Sequence, residues 1–522
     1  MTPAGRKSTV GLLLGAGAFL ALLAFPLYPS NPEASRLAAI AAVMSIWWVT
    51  EAVPLFATAL VPLTLFPLLG IMAGTELAPL YFNSTIVLFL GGFLIALTME
   101  KWNLHRRIAL WVIAQIGGGP ARLVLGFMLA SAFLSMWISN TATAVMMVPM
   151  ALAVVLKTEE TFGAENAAPL AAGLMLGVAY GCSIGGLTTL VGTPPNLAFQ
   201  RIFEITFPDA PLIAFGQWVA AALPIGAVLL AVTWLLVAKV FYRAPATLQA
   251  GRGVIQEERR ALGRITREER VVSVVFGLTA LLWVFRRDLE LGFASVPGWS
   301  RLLPYPDLLD DGTVAIAMAS VLFFIPARRP PPGGSAGAAA LPGGGLIGRV
   351  LKNRVMGPEV IPRVPWNIVL LFGGGFALAG GFQETGLAGL IGDHLAVLAA
   401  MPTFLLVLCV CLALTFLTEL TSNAATTEMI LPVLAVVAVN TGIHPLLIMA
   451  PATISASCAF MLPVATPPNA IVFGSGRLRV GQMARVGIWL NLAGALIITA
   501  LFSWLAPAAL GIEGTGLPDW AR

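Results

Sequence analysis

Apolar residues run along the chain in stretches of roughly 20, the length that crosses a hydrocarbon layer as a helix, with short polar punctuation between them. These runs predict helices near residues 9–28, 37–53, 55–72, 84–100, 168–200 and 216–241. A second set is expected near 271–286, 311–327, 366–383, 447–474 and 485–508. Two further stretches, 121–155 and 402–437, are long and apolar overall but carry polar residues in their middles. There the chain reads "SNTATAVMMVP" (Ser139–Pro149) and "SNAATTEMILP" (Ser422–Pro432).

A single crossing by 121–155 fails on charge. Arg106, Arg107 and Arg122 at one end and Lys157 at the other all belong on the cytoplasmic side. Each stretch is therefore read as a re-entrant helical hairpin that enters and leaves on one face. Non-helical backbone at membrane depth needs protein or a water-filled cavity to satisfy its hydrogen bonds, so the polar tips predict a cavity. The expected fold class is an all-α integral membrane protein, with about eleven transmembrane helices and two such hairpins.

These motifs recur at fixed spacing. Ser139 and Ser422 lie 283 positions apart, as do Asn140 and Asn423, Thr143 and Thr426, and Pro149 and Pro432. The same offset pairs Ser135 with Thr418, and "LFLGGF" (Leu88–Phe93) with "LFGGGF" (Leu371–Phe376), the latter pair read as close helix packing. "VGTPPN" (Val191–Asn196) and "VATPPN" (Val464–Asn469) repeat at an offset of 273. The flanking charge is reversed between halves: "EKWNLHRR" (100–107) is basic, whereas "QETGLAGLIGD" (383–393) has no Lys or Arg. Inverted repeats of this kind mark alternating-access transporters.

The expected organisation follows. An amino-terminal helix and loop (1–36), read as a retained first helix, precede the first repeat (37–242). The arginine-rich 243–270 is a cytoplasmic linker. The second repeat (271–510) contains a cytoplasmic loop at 328–365, and 511–522 form a tail. The charge pattern expects a multi-pass protein of the cell inner membrane, amino terminus cytoplasmic and carboxyl terminus outside.

Composition narrows the function classes. With 58% hydrophobic and 11% charged residues and a mean hydropathy of +0.89, the chain cannot be one soluble core. The net charge of +5 lies in short loops, where it reports orientation, and leaves no nucleic-acid reading. Cys182, Cys409, Cys411 and Cys458 fall in apolar runs without metal-ligand spacing and read as small buried hydrophobes. His105, His394 and His444 are far apart. No phosphate loop, zinc motif or Ser-His-Asp pattern is present, so neither an enzyme nor a transition-metal site is expected.

What the polar clusters offer is hydroxyls, asparagine amides, glycines and paired prolines, without Lys or Arg at 131–149, 181–200 or 414–476. Prolines free carbonyls from helical bonding. Freed carbonyls with hydroxyl and amide oxygens suit Na+, a hard cation, while helix N-termini and amide groups suit an anion. Glu51, Glu100, Glu384, Glu419 and Glu428 lie in or near spans and are functional candidates for that reason. Glu428 has no acidic mate in the first half, where Val145 stands.

Four elements carry a family resemblance: "WWVTEAVP" (Trp47–Pro54), the two SN clusters, the two TPPN turns, and "ASCAFMLPVATPPNAIV" (Ala456–Val472). Along essentially its whole length the sequence resembles the divalent anion/sodium symporter family, carriers of C4-dicarboxylates, citrate and sulfate. The resemblance implies sodium-coupled symport of a small divalent organic anion, with Na+ as the only cofactor, and a homodimer in the lipid bilayer. By position it implies one sodium site at Ser135, Ser139, Asn140 and Gly192 and a second at Thr418, Thr421, Ser422, Asn423 and Ala465. The anion would meet Asn140, Thr141, Thr193, Asn423, Thr466 and Pro467. Ala424 departs from the family's second Ser-Asn-Thr and removes one hydroxyl. Sodium-independent dicarboxylate exchange and citrate or sulfate symport stay open as alternatives.

Overall fold

A computed structural model describes residues 3–245, 251–290, 295–332, 354–390 and 400–521. Expectations for 246–250 of the linker, 333–353 of the 328–365 loop, and 391–394 including His394 lie outside the described residues. The described chain is mainly helical, with one short pairing of Leu289–Glu290 with Ser295–Val296 and isolated bridges between Pro326 and Arg354 and between Ile443 and Gly516. Seven of its helices are long and apolar enough to cross a membrane: Gly74–Lys101, Asn140–Phe162, Ala164–Gly186, Phe215–Phe241, Trp366–Glu384, Asn423–Thr441 and Val480–Leu510. Shorter apolar helices accompany them, among them Pro120–Ser135, Thr403–Leu417 and Leu446–Ala456.

Three expected runs divide. The run 55–72 becomes Leu55–Thr58 and Val61–Leu68, since Pro62 lacks the N–H that a helix continuous across 59–60 needs. The run 168–200 becomes Ala164–Gly186 and Pro194–Thr206, and 447–474 becomes Leu446–Ala456 and Pro467–Gly474. In both, a proline pair supplies the first two helical positions, where a missing N–H costs nothing. Apolar content alone cannot show such a break, because the connecting residues are as hydrophobic as the helices.

The polar stretches are also broken helices. Pro120–Ser135 and Asn140–Phe162 flank Met136–Ser139, and Thr403–Leu417 and Asn423–Thr441 flank Thr418–Ser422. Helix Ala164–Gly186 lies against Pro120–Ser135 so closely that a Cβ on Gly185 would meet Ala132 O at 2.1 Å and one on Gly181 would meet Met128 O at 2.7 Å. The two halves then cross over. Pro194–Thr206 packs on Asn423–Thr441 of the other half, and Pro467–Gly474 packs on Asn140–Phe162. Tyr180 reinforces the crossing by donating to Phe460 O at 2.8 Å.

Apolar burial forms two clusters. The larger spans both halves. The smaller joins residues of Pro32–Tyr81 to one side of Trp366–Glu384, with Ala424 and Ala425 of the second polar stretch. Trp366–Glu384 contributes to both: Phe372 and Phe376 to the larger, Leu371 and Leu378 to the smaller.

Ion pairs join segments distant in sequence. Lys101 meets Glu359 at 2.7 Å, Arg363 meets Glu100 at 3.0 Å and Arg107 meets Glu269 at 2.9 Å; Arg106 pairs with Glu258 and Arg477 with Glu159. These pairs tie together the segments whose charge expects them on one side of the membrane. A buried pair, Arg286 with Asp311, fastens the other loops, and Asp311 also accepts from Phe215 N at 3.2 Å.

Candidate functional site

Both polar stretches and both proline turns line one cavity of about 1540 Å³. Ser139, Asn140 and Thr141 face Ser422, Asn423 and Ala424 in its wall, together with Gly192–Pro195 and Ala465–Pro468. Four helices begin at it, at Asn140, Pro194, Asn423 and Pro467. Four others end beside it, at Ser135, Gly186, Leu417 and Ala456. Starts present unpaired N–H groups and partial positive charge; ends present carbonyls and partial negative charge. Among the described residues of the lining, Glu51 is the only ionisable one.

In the first half, Ser135 donates its hydroxyl to Asn140 Oδ1 across the break. Ser139 caps the next helix by accepting from Ala142 N at 3.2 Å. A Cβ on Gly186 would come within 2.5 Å of Asn140 Oδ1, and one on Gly192 within 2.4 Å of Gly186 O. Ser135, Asn140, Gly186 and Gly192 thus form one contiguous oxygen-rich corner that admits no larger residue at either glycine.

The second half reproduces this corner with different chemistry. Thr418 donates to Asn423 Oδ1 at 2.6 Å and lies 2.9 Å from Ala456 O. Thr421 is engaged with Leu417 O at 2.9 Å and Thr426 Oγ1 at 2.6 Å, so its carbonyl is the atom left for a ligand. Ser422 makes no cap bond. The Thr466 hydroxyl is buried without a hydrogen-bond partner and Thr466 lines the cavity. An orphaned buried hydroxyl is costly unless a ligand completes it.

A family model for the sodium:sulfate symporter transmembrane region matches residues 7–510. The chain belongs to the sodium:sulfate symporter family. Among curated relatives of this symporter, the sodium-dependent dicarboxylate transporter SdcS of Staphylococcus saprophyticus is 38% identical over 97% of this chain and 93% of its own length. SdcS of Staphylococcus aureus is 39% identical over 98% and 94%. Two solved structures share the fold. The Alcanivorax borkumensis YdaH transporter has a TM-score of 0.53 at 15% identity over 83% of this chain and 88% of that one. Neisseria gonorrhoeae MtrF has 0.54 at 16% over 85% and 84%.

The residues that sequence position implied for the symporter's ligands therefore gather at one place: Ser139, Asn140, Thr141, Gly192, Thr193, Thr421, Ser422, Asn423, Ala465, Thr466 and Pro467 line the cavity. Ser135 and Thr418 sit one bond behind their asparagines. Thr141 is exposed to the cavity, while Ala424 is 8% exposed and packs in the smaller apolar cluster.

The clamps that hold the corners escaped the sequence reading. Asn196 donates through Nδ2 to Gly186 O, Leu187 O and Thr189 O at 3.3, 3.2 and 2.7 Å. Asn469 does the same to Ala459 O and Leu462 O, both at 3.0 Å. Their recurrence in the two TPPN turns was the available signal. Glu419 was legible only as a carboxylate within a span. It accepts from Phe460 N at 2.7 Å, Met461 N at 2.8 Å, Leu462 N at 2.9 Å and Asn491 Nδ2 at 2.8 Å. It thereby ties the second helix break to the second proline turn. Asn367, also in the cavity wall, had no motif to mark it.

Proposed function

We propose that the protein is a secondary active transporter that moves a C4-dicarboxylate such as succinate, malate or fumarate together with sodium ions by alternating access. The observation that carries this reading is a cavity bounded by paired helix breaks, four helix starts and four helix ends, without a basic side chain among the described residues of its lining. Its relatives' names, sodium-dependent dicarboxylate transporters, agree with that chemistry.

Ser135, Ser139, Asn140 and Gly192 would hold one sodium ion, and Thr418, Thr421, Ser422, Asn423 and Ala465 a second. The oxygens are those that a hard cation prefers. The asparagines have a double duty: the amide oxygen turns to the cation corner, which leaves the NH2 group free to donate to a carboxylate. Thr141, Thr193, Thr466 and Pro467 complete the anion's surroundings. A desolvated dianion without countercharge is prohibitively costly; the helix starts offer only partial positive charge, and bound cations would supply the rest. Sodium therefore loads before the anion, and the two cross together. The same reading places the protein as a homodimer in the cell inner membrane, its polar breaks in re-entrant hairpins, its amino terminus cytoplasmic and its carboxyl terminus outside.

The test is uptake of radiolabelled succinate into proteoliposomes with no internal substrate, with and without an inward sodium gradient. Symport predicts accumulation only with the gradient. Uptake indifferent to sodium, or dependent on preloaded dicarboxylate, would replace symport by exchange. Competition by excess citrate or sulfate in the same vesicles decides the anion.

A further inference from the structure

Glu428 lies in the second broken helix, five residues beyond Asn423, and takes no part in the binding scheme above. It is 0% exposed, and neither carboxyl oxygen has a hydrogen-bond partner. Its side chain rests on the face of Trp366–Glu384 at Gly375, where an added Cβ would meet Glu428 Cγ at 2.6 Å and Oε2 at 2.7 Å. A glycine here makes the room that the carboxyl occupies.

No countercharge reaches it among the described residues. Of the helices packed on Asn423–Thr441, Leu446–Ala456 has no ionisable side chain. On Pro194–Thr206, Arg201 is paired with Glu204 at 3.0 Å. On Pro32–Thr50, Arg36 donates to Leu69 O at 2.7 Å. The remaining ionisable side chains of Pro32–Thr50 and Trp366–Glu384, Glu33 and Glu384, are acidic, and Tyr81, which packs on Trp366–Glu384 at Gly373, donates its hydroxyl to Ala59 O at 2.6 Å. An ionised carboxylate fully buried without a hydrogen-bond partner is not sustained in such surroundings. Its counterpart in the first half is Val145, which is 56% exposed, so the repeat does not require an acid at this position.

We propose that Glu428 is a proton-binding site of the second hairpin: it holds a proton while that hairpin is packed on Gly375 and releases it to water when the contact opens. The helix it touches belongs to both apolar clusters, so this contact lies where the two packed bodies meet. One proton is bound on closing and one is lost on opening, with no other change in covalent structure. Acid therefore favours the packed state, and transport slows as pH rises because the hairpin must return to that state in each cycle.

The transport half of this inference rests on the sodium-coupled reading; the proton site itself does not. Two measurements on the full chain decide it. The first is the infrared carbonyl band of a protonated carboxylic acid in purified protein without sodium or succinate, for wild type and Glu428→Gln. The second is sodium-driven succinate uptake between about pH 7 and about pH 9, where the substrate is a dianion. Wild type should show a band that Glu428→Gln lacks. Its uptake should fall with rising pH, at most about tenfold per unit, the limit for one proton, while the variant's profile stays flat. No band difference, or equal slopes in the two proteins, overturns the proposal. If Glu428→Gln does not fold, Gly375→Ala must move both the wild-type band and the wild-type profile; an unmoved band and profile overturn it as well. A band difference without any uptake would remove the functional reading and leave the proton site standing.

Discussion

The two halves of the cavity share a backbone plan but fasten it in opposite directions. In the first, Thr189 in the proline turn donates its hydroxyl to Met136 O in the helix break at 2.5 Å. In the second, Glu419 stands at the position equivalent to Met136, and it is the break that reaches out to three amides of the turn. Position 462, equivalent to Thr189, is a leucine that contributes only backbone. The lesson is that the repeat conserves the distance between break and turn, not the side chain that sets it. The asparagines are the same in both halves: Asn140 and Asn423 each accept at Oδ1 from the hydroxyl five residues earlier, and Asn196 and Asn469 each donate Nδ2 to carbonyls of the preceding break.

Four perturbations grade this comparison. The largest effect is expected from Asn140→Ala or Asn423→Ala, since each amide serves a cation corner and the cavity at once. Each should reduce sodium-driven succinate uptake at least about 100-fold, equivalent to roughly 3 kcal/mol, with normal yield of folded protein. Near-normal uptake in one but not the other would show that only one half binds. Next come the fasteners. Glu419→Ala strands the buried amide of Phe460 and the buried Asn491 Nδ2, at roughly 1–3 kcal/mol each, together with the half-buried amides of Met461 and Leu462, whereas Thr189→Val removes one bond worth about 1 kcal/mol. Thermal unfolding of purified protein should therefore rank Glu419→Ala well below Thr189→Val, and equal losses would contradict the unequal ties.

A smaller effect is expected at the corner's floor. Gly186→Ala puts a methyl within 2.5 Å of Asn140 Oδ1 and should weaken the sodium dependence of uptake by about tenfold, or ~1.4 kcal/mol. Ala459→Gly, at the equivalent place in the second half, should leave it within about twofold, because that corner already accommodates a methyl group. The smallest effect belongs to Ala424→Thr, which restores the hydroxyl that Thr141 supplies opposite. One added hydrogen bond is worth about 0.5–1.5 kcal/mol, so KM for succinate should fall by roughly 2- to 10-fold. An unchanged KM would mean that the anion does not reach Ala424.

Much of this was readable from residue order. Two SN clusters and two TPPN turns at constant offsets located the lining, because repetition separates a ligand-facing serine or threonine from one bonded to its own helix. The lengths of the helices were less readable. The second half is ten residues shorter between cluster and turn, and the loss falls in the helices, where Asn423–Thr441 and Leu446–Ala456 replace the longer Asn140–Phe162 and Ala164–Gly186. Breaks at 187–193 and 457–466 were hidden because Pro194 and Pro467 announce where a helix starts and say nothing of where the previous one stopped. Glu419 was invisible as a fastener, since its partners are backbone amides more than 40 positions away and amides leave no trace in residue type.

The crossed packing of the proline-turn helices has a consequence for biosynthesis. Asn140–Phe162 rests on Pro467–Gly474, which leaves the ribosome more than 300 positions later. At about 5–20 residues per second, the first half waits roughly 15–60 s in the membrane with its polar wall unfinished. Neither wall is completed by its own repeat, so the cavity is closed only when the last tenth of the chain has been made.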